Sequence, residues 1–172
     1  KLAAYLRIFW RRAFPTHIDG LLVLANDGRK RVRYSAVTAL SNVHHPLVRE
    51  LALTLLSSVD RSEDGIELLC SNFEPGDFEL VEQARLRSDN DDSSHGIGSS
   101  IRTLLERHLS PEAEKSLLIL YEKTPCSICR ADTVRSLIGL GKLPDWMQRE
   151  CLNDANDEIV QLMASPKQLH SP

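Results

Sequence analysis

No stretch of this chain approaches the roughly eighteen consecutive apolar residues that a membrane-spanning helix needs, so no span is expected. No segment alternates cleanly between apolar and polar with a period of two, which argues against a sheet-based fold. Cysteine is scarce. Cys70, Cys126, Cys129 and Cys151 are too few for a disulfide scaffold in 172 residues, and a reducing, cytoplasmic setting is expected. No G-x-S-x-G, H-E-x-x-H or comparable catalytic signature occurs. Gly96-Ile97-Gly98 follows no strand and has no lysine placed for a phosphate, which excludes a phosphate loop. An initiator Met is missing, and Arg7, Arg11 and Arg12 interrupt any signal-peptide run, so a segment upstream of Lys1 is expected.

What is present is an echo. Val32-Arg33-x-x-Ala36-x-x-x-Leu40 returns as Val48-Arg49-x-x-Ala52-x-x-x-Leu56, in register sixteen residues later. Recurrence of apolar, basic and small positions at helix length points to an array of stacked helices. The net charge of −3 conceals a division. Residues 1–50 hold nine Lys/Arg against three Asp/Glu, a balance of +6, and residues 51–172 hold twelve against twenty-one, a balance of −9. Such asymmetry suits a surface for a polyanion, although a solvated helix face is the plainer reading.

Helical periodicity runs through nearly the whole chain. Helices are expected over 2–14, stopped before Pro15, then 16–26, 29–43 and 46–59, with His44-His45-Pro46 dividing the last two. A weaker one follows over 61–72, broken by Pro75-Gly76, and then one over 78–87 capped by Asp77. Residues 88–96 read as a long polar loop. Beyond it, Ile97, Ile101, Leu104, Leu105 and Leu109 make one face. Ser110-Pro111 opens the next helix, Thr124-Pro125 closes it, and Gly141 ends a helix over 127–140 that buries Ile128, Val134, Leu137 and Ile138. Pro144 opens a short helix, and Asn156-Asp157 caps the last, with Ile159, Leu162 and Met163 inward. Short loops force antiparallel pairs of about 32 residues, and no pair buries its stripe alone.

Asn26-Asp27, Val32-Arg33, Ala36 and Leu40 together resemble the second-helix signature of HEAT-type repeats, most clearly over 26–58 and in degenerate form over 126–164. The short repeat is similar to the HEAT-like repeats first noted in phycobilisome lyases, which are widespread in bacterial proteins of unassigned function. The resemblance implies an all-α fold, a right-handed α-solenoid of about five antiparallel helix pairs, in a single domain over 1–172. It implies a concave binding surface and no reaction. It also implies that Asp27, Arg33, Arg49 and Arg135 tie repeats together.

Cys126-Ser127-Ile128-Cys129 is the most tempting motif. As a metal site it needs further ligands, with Cys151 a third and Asp132 or a histidine a fourth. No second C-x-x-C exists and no His lies between residues 109 and 169, so packing is expected and neither metal nor cofactor is. A redox pair would need the strand–helix junction that this chain lacks. Asp89-Asn90-Asp91-Asp92 fails as an EF-hand loop, because Ser94 and Ser100 stand where Gly and Glu are required. His44 and His45 are read as a helix terminus. The remaining candidate is a basic patch of Arg7, Arg11, Arg12, Arg29, Lys30 and Arg33, with Arg31 beside them and Tyr5, Phe9 and Trp10 interleaved. Arg7 with Arg11, and Arg29 with Arg33, are expected to share helix faces.

The expected function is a non-enzymatic protein-interaction or scaffold module with a protein partner and no membrane. The alternative is nucleic-acid binding through residues 1–50. DNA glycosylases built on HEAT-like repeats are its enzymatic form, for which Trp10, Trp146, Asp19 and Asp145 are available in kind only. A bilin lyase or isomerase is the weaker alternative, implied by repeat type alone.

Overall fold

The computed structural model describes residues 1–12, 14, 15, 17–87 and 91–164, and of 91–94 the backbone alone. Among these the chain is all-α: α1 (Leu2–Leu6), a 3-10 turn (Arg7–Phe9), α2 (Asp19–Leu24), α3 (Lys30–Leu40), α4 (Pro46–Leu56), α5 (Ser62–Leu69), α6 (Asp77–Leu86), α7 (Asp91–Arg107), a second 3-10 turn (Pro111–Ala113), α8 (Glu114–Lys123), α9 (Ser127–Gly139), α10 (Asp145–Cys151) and α11 (Asp157–Ala164). No described helix is long and apolar enough to cross a membrane. The chain forms two compact units, Lys1–Arg87 and Ser88–Pro172.

In the first unit, consecutive helices pair while alternate helices stack. α2 lies against α3 and α4 against α5, while α1 touches α3, α3 touches α5, and α4 touches α6. The echo positions supply the core: Val32, Ala36, Leu40, Val48, Ala52 and Leu56 are all buried. A Cβ on Gly65 would stand 2.7 Å from the Leu56 N and 2.8 Å from the Ala52 carbonyl oxygen. Only glycine lets the α4 and α5 backbones approach this closely. The second unit repeats the scheme, with α8 against α9, α10 against α11, and α7, α9 and α11 in alternate contact.

Helix ends follow sequence chemistry. The His45 Nδ1 accepts the Leu47 N–H at 3.2 Å, capping α4 ahead of its first-turn Pro46. The Asn156 Oδ1 accepts the Glu158 N–H at 3.0 Å. Gly141 adopts φ +65, so that the Lys142 N–H reaches the Leu137 carbonyl and closes α9.

Several expectations fail. The first helix stops at Leu6 and tightens to a 3-10 turn, beyond which the Asn42 Nδ2 donates to the Phe9 and Trp10 carbonyls at 3.2 and 3.1 Å. Residues 91–96 are helical rather than loop, while 88–90 of that predicted loop lie outside the described residues, as do 13 and 16 within the predicted first two helices. Asp91 and Asp92 fall in the first turn of α7. Asp77 begins α6 without capping it, since Gly76 is the N-cap. Ile128, read as core, is 67% exposed on the outer side of the first turn of α9. Val59 and Leu109 fall beyond their helices and are exposed.

Candidate functional site

The basic patch divides on folding. Asp27 takes Arg29 for itself: its Oδ1 accepts the Arg29 backbone N–H and Nε, and its Oδ2 accepts Nη2 at 2.7 Å. These bonds from Arg29 hold the Asp27 carboxyl down at about 2. The Arg33 Nη1 donates to the Asp27 carbonyl at 3.0 Å. Arg29 and Arg33 therefore organise the turn before α3 instead of presenting a joint cationic face. Arg7 and Arg11 do not share a helix face either, since α1 has ended before both. Arg11, Arg12 and Lys30 are exposed.

A smaller basic group survives. Lys1, Arg7 and Arg31 line a groove of about 550 Å³ with Trp10, Tyr34 and Ser35. The Arg7 guanidinium lies 4.8 Å over the Trp10 ring, and Tyr34 meets that ring edge-on with centroids 6.0 Å apart. The Trp10 Nε1–H is buried and has no hydrogen-bond partner among the described residues. Arg31 joins the groove because α3 turns it toward α1, while Arg29 and Arg33 face Asp27.

In the second unit, Cys126 is the extended N-cap residue of α9 and Cys129 lies in its first turn. Their spacing sets both sulfurs on one side of the helix start. α7 packs against α9, and its His95 brings an imidazole nitrogen to the pair: all three donor atoms lie within 4.8 Å of one another. The backbone N–H groups of Cys129 and Ile128 point at the Cys126 sulfur and lower its pKa. Burial pushes the Cys129 thiol up to about 11, with Cys126 beside it adding to the shift.

No family model, curated protein or solved structure matches this chain.

Cys151, considered from sequence as a third ligand, takes no part in this cluster. It is buried beside the Tyr121 Oη at 3.9 Å, and burial raises its thiol. The surrounding group is self-contained. The Arg130 guanidinium stacks on Tyr121 at 4.9 Å, donates to its hydroxyl at 3.2 Å and pairs with Asp154 at 2.5 Å. Tyr121 in turn donates to Glu150 at 3.2 Å. Such closed polar networks fix packing. The sequence conceals His95 because its segment reads as a polar loop, and the contact that brings it to the two cysteines runs between helices rather than along the chain. The signal for it was its position two residues ahead of the Ile97 stripe, close enough to ride on the same helix.

Proposed function

We propose that this chain is a non-enzymatic interaction module, built of HEAT-like helix pairs stacked as a right-handed solenoid, that holds an acidic segment of a partner protein in its N-terminal groove. The observation that carries this reading is the groove itself, in which Arg7 and Arg31 flank the rings of Trp10 and Tyr34. Cations supply long-range attraction to acidic side chains, and rigid aromatic surfaces supply contact area at low entropic cost. Alternate-helix stacking within each unit supports the solenoid arrangement, because each added pair buries the stripe of the previous one.

Single-stranded nucleic acid is the second reading, supported by the same pairing of exposed Tyr34 with cationic neighbours. The test measures fluorescence anisotropy with a labelled polyglutamate-rich peptide and a labelled single-stranded oligonucleotide, at low and near-physiological salt. Preferential peptide binding that falls at least about tenfold when Arg7→Glu and Arg31→Glu are combined supports the proposal. Preferential oligonucleotide binding with a steep salt dependence replaces it by the second reading. Binding of neither probe removes the groove as a site.

A further inference from the structure

We propose that His95, Cys126 and Cys129 form a three-ligand zinc site in the second unit, assembled where the start of α9 meets α7. The geometry supports a metal before any other occupant. Tetrahedral zinc with sulfur at about 2.3 Å and nitrogen at about 2.0 Å places its donors roughly 3.5–3.8 Å apart. The three donors here already lie within 4.8 Å of one another, so rotation about side-chain bonds closes the remaining ångström.

The donor set selects the metal. Two sulfurs and one imidazole are soft to borderline ligands, suited to zinc and poorly suited to calcium or magnesium, which take oxygen. Two thiolates and one neutral imidazole balance the divalent charge. The N–H groups of Ile128 and Cys129, directed at the Cys126 sulfur, serve as outer-sphere donors of the kind that orient thiolate ligands. Asp132, one turn beyond Cys129, is committed elsewhere: its carboxylate pairs with Arg135 at 2.5 Å and with Arg102 at 3.6 Å. With Asp132 held by two guanidinium groups, the fourth tetrahedral position falls to water. Cys126 is only partly buried and His95 exposed, so a metal ion reaches the site from solvent.

A disulfide between Cys126 and Cys129 is the competing chemistry. It would use the two sulfurs, would need an oxidant, and would leave the convergence of His95 without a role. The experiment uses the full chain, reduced with a phosphine and stripped of metal, titrated with Co²⁺ and then with Zn²⁺. The site predicts one equivalent of Co²⁺, a thiolate-to-cobalt charge-transfer band, the visible bands of tetrahedral cobalt, and displacement by Zn²⁺. Cys126→Ser and Cys129→Ser each remove most of the charge-transfer intensity. His95→Gln weakens cobalt binding at least about tenfold, while His17→Gln, at an exposed histidine of the first unit, leaves it unchanged. Far-ultraviolet circular dichroism of each variant establishes that the helices persist. Absence of the band in the folded, reduced chain overturns the proposal, as does a His95→Gln variant that binds like the parent. Disulfide formation on mild oxidation, with no metal uptake beforehand, assigns the pair to redox chemistry instead.

Discussion

Arg49 of α4 and Asp77 of α6 form a two-pronged ion pair, Nη1 to Oδ2 at 2.6 Å and Nη2 to Oδ1 at 2.9 Å. The same guanidinium donates to the Asn72 carbonyl at 2.7 Å and pairs with Glu74 at 3.0 Å. Asp77 also accepts the Glu74 N–H at 2.8 Å. One side chain thus gathers the whole turn between α5 and α6. The Asp77 side chain is 4% exposed, so its charge depends on this partner.

Arg49→Ala is expected to lower stability by about 3 kcal/mol, because it leaves a buried carboxylate unpaired. Arg49→Lys restores only part of the loss, since an ammonium cannot present the planar fork. Urea unfolding followed by circular dichroism measures both. A loss for Arg49→Ala below about 0.5 kcal/mol would mark the pair as no stronger than a surface contact.

Gly65→Ala is expected to destabilise by about 2–3 kcal/mol, because the added methyl meets backbone atoms that cannot swing aside. Gly20→Ala, in α2, meets nothing within 4 Å and is expected to stabilise by about 0.5–1 kcal/mol through helix propensity. Opposite shifts in melting temperature for the two variants are the result to look for. Equal shifts would contradict the close approach of α4 and α5.

Asn72 is buried. It accepts the His45 N–H at 2.9 Å through Oδ1 and donates to the Val43 and Leu68 carbonyls at 2.9 and 3.0 Å through Nδ2. Asn72→Ala is expected to cost about 2–3 kcal/mol, because the groups it leaves behind lose their partners. Hydrogen exchange locates the effect: the His45 amide should lose protection ahead of the amides in the middle of α4. Uniform loss along α4 would speak against a local tether.

Burial raises the Tyr121 hydroxyl to about 12, with its contact to Arg130 pulling the other way. An ordinary tyrosine ionises near pH 10. The folded chain therefore holds this proton through a window in which the unfolded chain has released it. Stability from this group is fully present below about pH 10 and declines as pH rises toward about 12. The ultraviolet difference titration between the parent and Tyr121→Phe isolates the group. A midpoint near pH 10 would mean that Tyr121 is open to water.

Much of the helical framework was legible because burial follows periodicity. The apolar stripe of α3 and α4 occupies the core at the positions the echo marked. Arg33 takes the Asp27 carbonyl and Arg49 the Asp77 carboxylate, a structural use of both that only the resemblance to HEAT-type repeats implied. The start of α7 was illegible because Asp, Asn and Ser serve loops and first turns alike, and local composition does not separate the two. The division of the basic patch was not legible, because charge on a helix says nothing of which acceptor folding brings near. Asp27 captures Arg29 and Arg33, while Arg31, two positions from each, lines the groove. The thiol cluster was half legible: the spacing of Cys126 and Cys129 was plain, and the third donor required knowing that α7 packs on α9.

A shorter signal marks the unit of repetition. Ser41-Asn42 recurs as Ser71-Asn72, and each asparagine ties its turn back to carbonyls of the preceding turn, Phe9 and Trp10 in one case and Val43 in the other. The acceptor is always main chain, so the tether is indifferent to the side chain standing at that place. A substitution at Phe9, Trp10 or Val43 therefore leaves these two tethers in place, because neither asparagine reads the side chain beside its acceptor.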